Sequence, residues 1–273
     1  MAERASKSNQ IQEEINSLPV PKEIQEIKDR LAANPTDVQL LMELGIACKK
    51  YQMDVRSAIE YYSIGLTYDP FNMLLYRHRG HAYINIRRYK EGAADLEMAL
   101  RLDPVHWENW YHLALAYHLM GDFERAVPVY EKCLEVSTLK NQSILSRGTN
   151  DDLVIATTDW YCLTLMKLRR IDDFRRAAAR VHKGMDVTDY SDGYFHRVLA
   201  YNGTSTVDEV YQLALQKDSH MFSTSVYGLA VYCEVVLGDK ERALAIRKEI
   251  TDKKSDLWSG FAELAAYEDL KNN

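Results

Sequence analysis

A chain of 273 residues with 47% hydrophobic side chains can bury a continuous core, and 12 Gly and 6 Pro are too few for low-complexity sequence. A net charge of −6 with no basic run speaks against a nucleic-acid surface. No window approaches the ~18 consecutive apolar residues of a membrane span, and the polar start MAERASKSNQ lacks the apolar core of a signal peptide, so the chain reads as cytoplasmic.

In chain order, Ile11, Ile15 and Leu18 allow a short amphipathic helix that Pro19 and Pro21 end. Pro21 suits the start of a second helix striped by Ile24, Ile27 and Leu31, which Asn34-Pro35 stops. From Thr36 to Pro70, Leu41, Leu44, Gly45 and Cys48 share a helical face, and Ala58 and Tyr62 share the next, across a turn, QMDVR, one residue longer than the turns that follow. The interval from Pro70 to Pro104 is 34 residues and repeats the arrangement with Tyr76, Gly80, Tyr83, Tyr89 and Gly92. Arg79 stands there where an apolar residue is expected. Trp110, Leu113, Ala114 and Tyr117 begin a third copy, with a turn at Gly121-Asp122 and then Phe123, Ala126 and Tyr130. The polar stretch 139–152 is too long for an ordinary connection. Weaker copies follow: Trp160, Tyr161, Leu163 and Leu165 with Phe174 and Ala178; Tyr194, Val198 and Tyr201 with Tyr211 and Ala214; Tyr227, Ala230 and Val231 with Gly238-Asp239 and Ala243. Ser255 suits the N-cap of a last helix carrying Trp258, Phe261, Leu264, Ala265 and Leu270 on its apolar face. The cysteines Cys48, Cys133, Cys162 and Cys233 form no C-x-x-C pair and read as buried free thiols.

The third copy resembles the tetratricopeptide repeat, W-x2-L-G-x2-Y…A-x3-F, with Ala114 for its first Gly. Three copies resemble it well over 36–138, and three more degenerate ones cover 153–252. The resemblance implies an all-α fold: a right-handed α-solenoid of about six helical hairpins in one continuous domain. Residues 1–35 would be an N-terminal extension with short helices, 139–152 an insertion loop, and 253–273 a capping helix. It further implies a concave surface lined by the first helix of each hairpin, where extended peptides bind, and an adaptor function. One subset of that family holds a peptide's C-terminal carboxylate in a clamp of basic and Asn side chains. Those positions fall here on Met42, Ile46, His78, Glu108 and His112, and a glutamate in place of a lysine reverses the sign. Binding of chaperone tails is therefore not expected.

With each first helix turned to its partner, the inward positions include Arg77, His78 and His81, then Glu108, Tyr111, His112 and His118, then Tyr161 and His196. These form the candidate ligand site: a His- and Tyr-lined groove for a protein or peptide segment, or for a small molecule. The alternative is an enzyme on the same scaffold, with His78 or His112 as general base and Glu43 or Glu108 fixing its tautomer. No metal and no cofactor is expected: His78-x2-His81 supplies two ligands where zinc takes three or four, and no Walker A loop, G-x-G-x-x-G or G-x-S-x-G is present.

Overall fold

The computed structural model describes residues 12–139, 149–253 and 260–272, and among them there is no β-strand. The chain forms two compact units, Met1–Pro104 and Val105–Asn273. Ile11, Ser255, Trp258 and most of the predicted insertion lie outside the described residues.

In the first unit, a helical stretch at 12–17 precedes α1 (Lys22–Ala33), α2 (Val38–Gln52), α3 (Val55–Tyr68), α4 (Met73–Asn85) and α5 (Tyr89–Leu102). Each helix packs on the next, α1 on α2 through to α4 on α5. Pro21 caps α1 as its pattern predicts, and the side chains of Asp37, Asp54 and Asn72 cap α2, α3 and α4 by accepting a backbone N–H. Arg79, unexplained by the repeat pattern, is accounted for here. Its guanidinium grips Asp95 of α5 through two bonds of 2.7 and 2.8 Å and donates to Ser63 of α3 at 3.1 Å. One charge thus ties three helices.

Gly80 and Gly92 let α4 and α5 touch. A Cβ on Gly92 would meet the Gly80 carbonyl at 2.9 Å, and a Cβ on Gly80 would meet the Gly92 carbonyl at 3.0 Å. Alanine would gain up to ~1 kcal/mol of helix propensity. The helices can accept it only by moving apart, which costs more, about 1–3 kcal/mol. Gly92→Ala is therefore expected to shift the urea midpoint of the full chain downward, not upward.

The second unit contains α6 (Trp107–Leu119), α7 (Phe123–Ser137), α8 (Asn150–Lys167), α9 (Ile171–Ala178), α10 (Asp192–Tyr201), α11 (Val207–Ala214), α12 (Ser219–Tyr232), α13 (Lys240–Asp252) and α14 (Phe261–Asn272). The end of α12 widens into a π-helical turn over Cys233–Leu237. The predicted insertion ends early: α8 already begins at Asn150, because Thr149 and Asp152 form a capping box. Asp152 also binds the 186–191 segment, accepting from the Thr188 amide at 3.0 Å, the Thr188 hydroxyl at 2.9 Å and the Ser191 hydroxyl. α8 is the hub, packed against α6, α7, α9, α10 and α12, and every residue from Ile155 to Met166 is buried.

Six residues with positive φ mark six hairpin turns among the described residues: Met53, Arg87, Gly121, Arg169, Gly203 and Gly238. At four of them the next amide reaches back five residues at 2.9 Å, Arg88 to Tyr83, Asp122 to Tyr117, Arg170 to Leu165 and Thr204 to Leu199. Asp54 reaches back six, to Cys48, which is the extra residue read in the first repeat's turn. The four cysteines are free and buried.

Candidate functional site

In the first unit, the inward side of α2 and α4 stays partly open. Ile46 is 38% exposed, and Glu43, Lys49, Arg77, His78 and His81 are half-buried. The surface is held together by fixed contacts. Lys49 Nζ donates to Asn85 Oδ1 at 2.9 Å, linking α2 to the end of α4, and burial pushes the Lys49 ammonium down to about 8. The His78 ring stacks on Tyr62 with centroids 5.7 Å apart, and its Nε2 sits 3.1 Å from the Arg77 guanidinium. A guanidinium has only N–H donors, so Nε2 of His78 accepts and the ring is neutral. That lone pair is then engaged, which works against His78 as a general base. Glu43 accepts from Gln39 at 3.1 Å and pairs with Arg30 at 3.5 Å, so its carboxylate is directed to those groups and not to a histidine.

The second unit places its predicted site residues differently. His118, predicted to face the groove, is core: it is 4% exposed, its Nδ1 is 2.8 Å from Thr164 Oγ1, and its ring lies edge-on to Trp160 and Phe123. Burial, with Lys167 nearby, pushes its pKa down to about 3, so it stays neutral. Tyr111 is 3% exposed and stacks on Trp107 at 4.8 Å; Tyr161 is 6% exposed and donates to Glu131 at 2.8 Å, between α7 and α8. Burial raises both phenol pKa values. These three corrections share a cause. Helical spacing tells which residues share a face, but α6 and α8 are covered on most faces, so the inward positions Tyr111, His118 and Tyr161 are buried.

Glu108 is half-buried and lies near Tyr190. His112 is half-buried, with its ring edge-on to Phe261 of α14 at 5.8 Å. His196 is half-exposed, and its Nε2 is 3.3 Å from Asp192, which also takes Lys217. The His196 bond and Lys217 hold the Asp192 carboxyl well below the usual range, against its burial. Among the described residues no group of three or more His, Cys, Asp or Glu converges as metal ligands would.

α14 brings together residues of which the repeat pattern singled out only Tyr227. Asp269 accepts from Lys167 at 2.6 Å, from Arg247 Nε at 3.0 Å and from the Tyr227 hydroxyl at 3.2 Å. Arg247 also holds Glu234, at 2.5 Å. The sequence shows Asp269 only as one charge among several near the end of the chain. Its partners lie at least 22 positions away, beyond any local pattern.

Residues 75–106 and 108–138 each match a profile of the tetratricopeptide repeat. These are α4–α5 and α6–α7, each a helix, a tight positive-φ turn and a second helix. Residues 75–138 of the chain thus carry two tetratricopeptide repeats. Small glutamine-rich tetratricopeptide repeat-containing protein 2 of Saccharomyces cerevisiae is 26% identical over 136 residues, 50% of this chain and 37% of that protein. The heat-shock protein cognate co-chaperone sgt12 of Aspergillus fumigatus is 31% identical over 91 residues, 33% of this chain and 27% of that protein. The chain thus spans well under half the length of either relative. Among solved structures, BtubC from P. vanneervenii resembles it with a TM-score of 0.50 at 16% identity, covering 90% of this chain and 94% of that one, a likeness of fold alone. Among the described residues no helix of this repeat protein is long and apolar enough to cross a membrane.

Proposed function

We propose that the chain is a protein-interaction module, an adaptor or scaffold, and that the inward side of α2 and α4 holds a segment of its partner. One observation carries this reading: Glu43, Ile46, Lys49, Arg77, His78 and His81 stay at least partly exposed, and Glu43, Lys49, Arg77 and His78 are held by neighbouring side chains. Pre-set side chains cost little ordering when a partner arrives. Ile46 supplies an apolar contact, and Lys49 and Arg77 favour a segment with an acidic side chain. The co-chaperone relative of Aspergillus fumigatus supports an interaction role in kind. The altered clamp positions separate this surface from one that takes a C-terminal carboxylate.

The test places a photo-crosslinking amino acid at Ile46 in the full chain and identifies what it captures from its host's extract. With that partner in hand, Arg77→Ala/His78→Ala is expected to weaken binding roughly tenfold or more, about 1.4 kcal/mol, with helical circular dichroism unchanged. Undiminished affinity in the double variant would remove this face from the proposal.

A further inference from the structure

α14 is enclosed in the second unit where a capping helix would lie across an end. A cap has one buried stripe and one wet face. Here Ala262, Glu263, Leu264, Ala265 and Ala266 are consecutive and all no more than 8% exposed, so the first half of the helix is covered around its full circumference, while 267–271 stay partly open. It packs against α6, α12 and α13, and it lies over His112, one of the inward positions that the sequence assigns to a ligand.

The seat and the helix are complementary in charge. The helix brings the carboxylates: Asp269 to Lys167, Arg247 and Tyr227, and Glu263 to His220 Nδ1 at 3.6 Å. The seat brings the cations, and they are deep: the Arg247 side chain is 2% exposed and that of Lys167 18%. A buried cation needs a counter-charge; Glu234 of the seat answers one face of Arg247, and the place between Arg247 Nε and Lys167 takes a carboxylate from the helix. The apolar middle of the helix is mostly alanine, which fits a narrow channel but removes little apolar surface from water for a helix so enclosed.

We propose that this seat is a second binding site, for a partner helix with a small-residue face and one carboxylate placed to meet Lys167 and Arg247, and that α14 fills it as a tethered competitor. The proposal stands apart from the α2–α4 reading, since it uses other residues in the other unit.

A protease recognition sequence inserted after Lys253 of the full chain allows α14 to be cut free without removing it. The probe is a fluorescein-labelled peptide of residues 254–273. After cleavage, the peptide is expected to bind saturably by anisotropy, with the far-ultraviolet circular dichroism of the cut protein unchanged. The peptide with Asp269→Asn is expected to bind at least tenfold more weakly. The uncut chain is expected to bind the normal peptide at least ~100-fold more weakly than the cut chain, because a tethered helix competes at high effective concentration. Uncut Asp269→Asn chain should recover part of that binding. Loss of helical signal on cutting would make α14 an integral part of the core and overturn the proposal. Equal affinity for the two peptides would overturn the carboxylate readout. Concentration-dependent dimers of the uncut chain in light scattering would assign the seat to a second copy instead.

Discussion

Replacing Asp159 with asparagine is expected to lower the unfolding free energy by about 3–5 kcal/mol, measured by urea denaturation of the full chain at neutral pH. Asp159 on α8 and Arg197 on α10 are both fully buried. Arg197 Nε donates to Asp159 Oδ1 at 2.9 Å and its NH2 group binds the other carboxylate oxygen, while the Tyr201 hydroxyl adds a bond of 3.2 Å. Burial pushes the Asp159 carboxyl up to about 6, against the pull of Arg197. Burial also works against the charged guanidinium, but Asp159 outweighs it and keeps Arg197 protonated. Both groups are therefore ionised at neutral pH. Asparagine keeps the shape and removes the charge, which strands a guanidinium in the core beside the Tyr194 ring, 5.2 Å from its centroid. The Asp159→Leu/Arg197→Met double variant is the control. It removes both charges, so it is expected to recover most of the loss, and failure to do so would show that the pair matters for its shape and not for its charge balance.

What could be read from the chain beforehand follows from how far apart the interacting residues lie. The hairpins were legible because each is local: the face of α4 with Tyr76, Gly80 and Tyr83 and the turn at Gly121 repeat within 34 residues, and a helix of period 3.6 shows itself in any short window. The long first turn was legible for the same reason. Arg79 was visible as an anomaly without an explanation, since its partner Asp95 is 16 positions away on the next helix. His118 was assigned to the wrong environment because its burial depends on α8, whose Thr164 is 46 positions away. The last helix was recognised by its apolar residues, yet its Asp269 meets Lys167, 102 positions away. Local periodicity gives an element and its faces; what covers each face is a long-range fact.

The tryptophans put that distinction to a test. The repeat pattern centres on Trp110, but the tryptophan of α6 that is fully buried is Trp107, at 0% exposure, whereas Trp110 is half-buried. Trp107 stacks on Tyr111, donates from Nε1 to Thr157 Oγ1 at 3.1 Å, and its carbonyl lies 3.9 Å from the Cys133 sulfur. It therefore joins α6, α7 and α8 at one point. Trp107→Ala is expected to cost about 3–5 kcal/mol, since the cavity lies between three helices that cannot all close on it. Trp110→Ala should cost at most about half of that, because part of its ring already meets water. Trp107→Phe keeps an aromatic ring on Tyr111 but loses the N–H; Thr157 still donates to the Leu153 carbonyl at 2.7 Å, so about 1–2 kcal/mol is expected. Urea unfolding of the three variants gives the order Trp107→Ala, then Trp107→Phe and Trp110→Ala as the milder pair. If Trp110→Ala proved the most damaging, the centre of the second unit's first hairpin would lie where the repeat pattern puts it and not where burial does.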